Sequence, residues 1–237
     1  MSLPLSEGHY YHIYNRANGS EKIFRQKDNY RFFLDKYKQH VSPIAETYAY
    51  CLMPNHFHFL IRIKGEKEIR EILARRQNVP SLKDLGRFSA PHDPLRFSEE
   101  SEHLSSAEIA SKFNKSLSID GKPLEYILSK QLSNFFNSYT KAFNKQQNRM
   151  GSLFMKNFKR KRIEDMIYMK NLVRYIHNNP VEAGMAKSAD KYPYSSINQI
   201  IENDNAFICS EEVLEWYYNK LNFMASHLVT DKSFIVQ

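Results

Sequence analysis

The sequence has few cysteines. Cys51 and Cys209 are the only two in 237 residues, and they fall in no CxxC or other zinc-ligand spacing. This argues against a disulfide framework and a structural zinc site, and a reducing cytosol fits. Long apolar runs are also missing: none reaches the length of a membrane span. The opening MSLPLSEGHYYHIYNR lacks the apolar core of a signal peptide. The expectation is a soluble protein of the cytoplasm that does not enter membranes. No internal repeat is visible. Acidic residues are absent between 141 and 162, where Lys141, Lys145, Arg149, Lys156, Lys159, Arg160, Lys161 and Arg162 stand. Those eight charges equal the whole net charge of +8. A basic balance of this kind points to polyanions, nucleic acid first.

What is present reads as alternating strands and helices. HYYHIYNRA (9 to 17) is strand-like and ends at the turn signal Asn18-Gly19. KDNYRFFLDKYKQHV (27 to 41) has apolar residues at helical spacing. AETYAYCLM (45 to 53) and HFHFLIRI (56 to 63) are β-prone, and Pro54-Asn55 between them predicts an antiparallel hairpin. Residues 65 to about 126 are charged and hold Pro80, Pro91, Pro94 and Pro123; helical periodicity shows only near EKEIREILARR. A compact domain rarely needs so long a connection, so this stretch is expected to be an insertion. A second long helix is predicted over 126 to 146, a turn and strand over 151 to 163, and a third helix over 164 to 179, stopped by Pro180. The tail after 200 is weakly patterned, with a candidate helix at SEEVLEWYYNKLNFM. This order predicts an α+β sandwich, with helices packed on an antiparallel sheet.

MPNHFHFLI (53 to 61) sets two histidines inside an apolar run. Alternation puts His56 and His58 on one strand face and Phe57 and Phe59 on the other, the core face. Two imidazoles about 7 Å apart along a strand can converge on one cation. They can equally be half-buried histidines bonded to neighbours, and two ligands leave a metal site incomplete. Leu60, where an HxHxH pattern would need a third histidine, weakens a nucleotide-hydrolase reading. On the third predicted helix, Tyr168, Leu172, Tyr175 and Asn179 form one stripe, so Tyr175 and Asn179 are neighbours one turn apart. Asn179 offers an oxygen to complete a two-histidine site, and Tyr175 offers a phenol beside it. Tyrosine on an amphipathic helix is more often packing, and asparagine before proline more often a helix stop. With fifteen tyrosines in the chain, chemistry alone chooses weakly among them.

MPNHFHFLI followed by YIHNNPVEAGM resembles the single-tyrosine HUH transposases, and most nearly their REP-associated branch. The resemblance extends through YNRA, FNSYTKAFNK, GSLFMKNFKRKRI and YPYSSI. It spans most of a domain at 8 to 200 outside the insertion, leaving 201 to 237 as a C-terminal tail. It implies a ferredoxin-like sandwich, with the histidine pair on a central strand and the tyrosine on a packed helix. It also implies that His56, His58 and Asn179 hold a divalent ion, Mg2+ or Mn2+, and that Tyr175 attacks DNA. Cleavage and rejoining of single-stranded DNA would then proceed through a 5′-phosphotyrosine. The expected partner is a single strand with hairpin structure. The basic segment, here Lys156, Lys159, Arg160, Lys161 and Arg162, would contact its backbone, helped by Asn15 and Arg16 of YNRA. The plainer reading of such a charge run is a solvated face. A domesticated, non-transposing binder of structured single strands is the alternative function. Monomer and homodimer both stay open.

Overall fold

The computed structural model describes residues 4–77 and 121–228. Most of the expected insertion, 78 to 120, and the end of the tail, 229 to 237, lie outside the described residues. In chain order the elements are β1 (Tyr10–Arg16), α1 (Lys27–His40), β2 (Ala45–Met53), β3 (His56–Ile63), α2 (Glu66–Gln77) and α3 (Leu124–Gln146). Then follow β4 (Lys159–Ile163), α4 (Met166–Glu182), a 3-10 turn (Ala189–Lys191), α5 (Ile197–Ile201), α6 (Ser210–Trp216) and α7 (Lys220–Ser226). The four strands form one antiparallel sheet in the order β2-β3-β1-β4. With a helix between β1 and β2 and helices again between β3 and β4, this is the ferredoxin-like βαββαβ arrangement.

The period-two pattern of β3 sets up the layers. Phe57, Phe59, Ile61 and Ile63 are at most 1% exposed and face α1 and α3, which contribute Phe33, Tyr37 and Phe135. Phe33 lies 5.3 Å from Phe57, and Tyr37 stacks at 4.2 Å on Phe59. Each such ring contributes about 1.5–3 kcal/mol through burial alone, so this face holds most of the core. The hairpin turn is pinned from outside: the Ile23 and Phe24 N–H groups both donate to the Pro54 carbonyl. The opposite sheet face is crossed by α4, which packs on β2 and β3.

The expected stop at Pro180 is overrun, because α4 continues to Glu182. Proline removes only one N–H from the ladder. The turn still closes through Ala183 N–H to Asn179 O (3.0 Å) and Met185 N–H to Pro180 O (2.8 Å). The chain then leaves the helix at Gly184, at φ 68°. Asn179 therefore sits inside a closed helical turn and keeps its register with Tyr175.

The candidate helix of the tail is two helices. Tyr218, at φ 68°, breaks it, and the Asn219 side chain caps α7 by accepting from Asn222 N–H. Both pieces are tied to the body. Trp216 stacks on Tyr48 at 5.1 Å, and the Tyr10 and Tyr48 hydroxyls each donate to Glu212 at 2.8 Å. Among the described residues no helix is long and apolar enough to cross a membrane.

Candidate active site

His56 and His58 both project from β3 on the face away from the phenylalanines. Their ring centroids are 5.1 Å apart and nearly perpendicular. His58 is buried. Its Nδ1 lies 2.9 Å from Nε2 of His12, a third histidine contributed by β1. Tyr14 stands directly across from His58 in the β1–β3 register, and Arg16 across from His56. Burial holds all three imidazoles below the ordinary histidine range, His12 at about 3, so each is neutral at neutral pH.

Helix α4 closes the site from above. Its first turn is capped by the Asp165 carboxylate, which accepts from Tyr168 N–H. Met169, Leu172, Val173 and Ile176 are buried and fix the helix's rotation. That rotation turns Tyr175 and Asn179 towards the histidines. Asn179 Oδ1 is 3.0 Å from His56 Nε2. The Tyr175 ring meets His58 edge-on at 5.5 Å and His12 at 6.5 Å. Burial raises the Tyr175 pKa, and the Asn179 side chain works in the opposite direction. The phenol is therefore protonated at neutral pH.

The donor geometry suits a cation. His56 Nδ1 is 2.7 Å from Asn55 Oδ1, and its Nε2 is 3.0 Å from Asn179 Oδ1. A neutral imidazole carries one N–H and can serve only one of two oxygens. In the tautomer that donates to Asn55, the Nε2 lone pair faces Asn179, and a cation between them could be held by both. His58 Nε2 is buried and has no hydrogen-bond partner. The residues that could together hold a cation are therefore His56, His58 and Asn179. Among the described residues no group of three or more His, Cys, Asp or Glu side chains could hold a metal; a third donor beside His56 and His58 could come only from another residue type, such as the Asn179 amide.

The basic segment does not act as one unit. Register pairs Lys159 with Tyr14 and Lys161 with His12, so these two lysines share the face of the histidines. Lys159 Nζ lies 6.0 Å from the Tyr14 ring centre, and Lys161 Nζ 4.6 Å from that of Tyr168. Arg160 and Arg162 project to the other face. Arg160 sits over Phe158, whose ring packs on Phe136 of α3, and Arg162 pairs with Glu164 at 2.9 Å. Lys156 is exposed in the turn before β4. Arg16 is exposed on the histidine face, and its charge helps to lower the His56 pKa. Asn15 is buried on the phenylalanine side, where its amide donates to Met155 O and accepts from Arg16 N–H. Its position braces the segment leading into β4. Arg149 is held by Glu21 at 3.0 Å.

His12 is the site residue that the sequence reading passed over. Its signal was alternation: Tyr10, His12, Tyr14 and Arg16 share one face of β1. Which strand lies beside β1 had to come from the fold. His177, two residues from Tyr175, points away. It is fully buried, 2.8 Å from Ser196 Oγ and 2.9 Å from His227 Nε2, and so ties α4 to the segment before α5 and to the end of α7.

No protein-family model and no curated protein matches the chain. Among solved structures it is similar to a REP-associated tyrosine transposase bound to a REP hairpin. The TM-score is 0.50 at 11% identity, over 85% of this chain and 84% of that one. At that identity the likeness is one of fold.

Proposed function

We propose that this protein cleaves and rejoins single-stranded DNA, with Tyr175 as the nucleophile. One observation carries the reading: His56 and His58 from β3 and Asn179 and Tyr175 from α4, more than a hundred residues apart in sequence, meet on one sheet face. The fold likeness supports it, since that transposase is bound to a DNA hairpin. A structured single strand is accordingly the proposed partner, and the cytoplasm the proposed location.

A phosphodiester resists attack because its oxygens carry negative charge. A divalent ion, Mg2+ or Mn2+, held by His56 Nε2, His58 Nε2 and Asn179 Oδ1, would withdraw that charge and orient the phosphate. The chain's own groups do the rest. Helix α4 presents the Tyr175 hydroxyl from a rigid turn, and the phenol gives up its proton as its oxygen bonds to phosphorus. The bond from phosphorus to the 3′ oxygen breaks, which leaves a 5′-phosphotyrosine and a free 3′-OH. The phosphoester is conserved, so a 3′-OH can reverse the step without ATP. Lys159, Lys161 and Arg16 lie on the same face and are placed to hold flanking phosphates. The test is incubation with labelled hairpin-bearing single strands and Mn2+, read on a denaturing gel. A protein-linked DNA band supports the reading; tight binding without any band favours the non-transposing binder.

A further inference from the structure

The proposed cation site has a buried support that its ligands alone do not explain. His12 is 0% exposed. Its ring lies beside both Tyr14 at 4.6 Å and His58 at 5.1 Å, within 23° of parallel to each, and Tyr14 and His58 are themselves 5.7 Å apart, so the three rings form one cluster. Its Nε2 is 2.9 Å from His58 Nδ1. Two neutral imidazoles share that contact, so one donates and the other accepts. If His12 donates, the proton of His58 sits on Nε2, the nitrogen that would bind the cation, and blocks it. If His58 donates, its Nε2 is bare. His12 then carries its own proton on Nδ1, which is buried and has no hydrogen-bond partner.

We propose that His12 is a positioning residue for the cation site: it accepts the His58 Nδ1 proton and so holds His58 in the tautomer whose Nε2 is free to bind a divalent ion. The proposal rests on the metal-assisted reading of the site. Histidine ligands are commonly oriented by an acceptor on their second nitrogen, and loss of that acceptor weakens metal binding about 10- to 100-fold. Here the acceptor is a neutral imidazole rather than a carboxylate, so the ion would meet a donor set without negative charge. Catalysis would leave that charge to the substrate phosphate.

The experiment is calorimetric titration of the DNA-free protein with Mn2+, on the wild type, His12→Leu and His12→Gln. Leucine roughly keeps the volume but cannot accept; glutamine reaches about as far as Nε2 and can. The expected result is a loss of about 10- to 100-fold for H12L, with H12Q within about threefold of wild type. Wild-type affinity in a folded H12L overturns the role of His12 and leaves the site reading standing. Absence of Mn2+ binding by the wild type overturns both. If H12L does not fold, long-range 1H–15N spectra of the wild type with Zn2+, a diamagnetic probe, decide the matter. A proton on His58 Nδ1 hydrogen-bonded to an unprotonated His12 Nε2 supports the proposal, and a protonated His12 Nε2 overturns it.

Discussion

Two paired substitutions of equal charge should have unequal effects on DNA binding. Lys159 and Lys161 lie on the histidine face of β4, whereas Arg160 and Arg162 lie on the other, occupied by Phe158 and Glu164. K159Q/K161Q and R160Q/R162Q each remove two positive charges, so a general loss of charge cannot separate them. If the two lysines each contact one phosphate of a single strand, the slope of log K against log salt falls in magnitude by about 0.7 per contact, or about 1.4 together. Between 50 and 200 mM salt, a slope difference of that size is about sevenfold in affinity. Fluorescence anisotropy with a labelled hairpin-bearing oligonucleotide measures it directly. The lysine pair should flatten the slope by about 1.4, while the arginine pair should leave it within about 0.3 of wild type. Equal flattening by both pairs, or greater flattening by the arginines, would refute the division of the strand into two faces.

Other outcomes follow from the same geometry. H56A/H58A should abolish Mn2+-dependent cleavage and leave most single-strand affinity, measured by the same anisotropy assay, because the proposed phosphate contacts come from other residues. Phe57→Ala should cost about 3–5 kcal/mol in urea unfolding, since its ring is fully buried between α3 and the sheet. Acid should loosen the C-terminal helices. His177 and His227 are both held neutral by burial, His227 at about 4 against an ordinary 6.5. With its folded value depressed, the His227 contribution is complete above about pH 6.5 and is lost as pH falls towards 4; His177 acts in the same direction. For His227 alone that amounts to about 3 kcal/mol. Urea midpoints between pH 7.5 and 4.5 should show it, and His227→Asn should shrink the change.

The strands of this fold were legible because their signals are local. The turn Pro54-Asn55 and the alternation of HFHFLIRI place β2 and β3 at their observed bounds, and the alternation puts both histidines on the face away from the core. The i, i+4 spacing of Tyr175 and Asn179 was legible for the same reason. What was not legible depends on pairing between distant segments. His12 enters the site only because β1 lies beside β3, and the basic run divides only because β4 lies beside β1. A run of adjacent lysines and arginines carries no mark of which charges face which layer until the strand has a neighbour. Pro180 misled because a missing N–H is cheap in a last turn. The tail looked weakly patterned because α6 and α7 are only seven residues each. They are held by single anchors such as Trp216, Phe223 and His227 rather than by a long apolar stripe.

The central claim is that the Tyr175 oxygen becomes bonded to DNA, and Tyr175→Phe tests it most directly. The substitution removes one oxygen and almost no volume, so the packing of α4, the donor set of His56, His58 and Asn179, and DNA affinity should persist. With wild type, a labelled single strand and Mn2+ should give a covalent adduct on the DNA 5′ side and a released strand whose 3′-OH a polymerase can extend. With Y175F, adduct and released strand should both be lost while binding stays within about twofold. An adduct that survives in Y175F contradicts the assignment of the nucleophile. Cleavage that persists without an adduct in either protein makes water the attacking group and contradicts the mechanism itself.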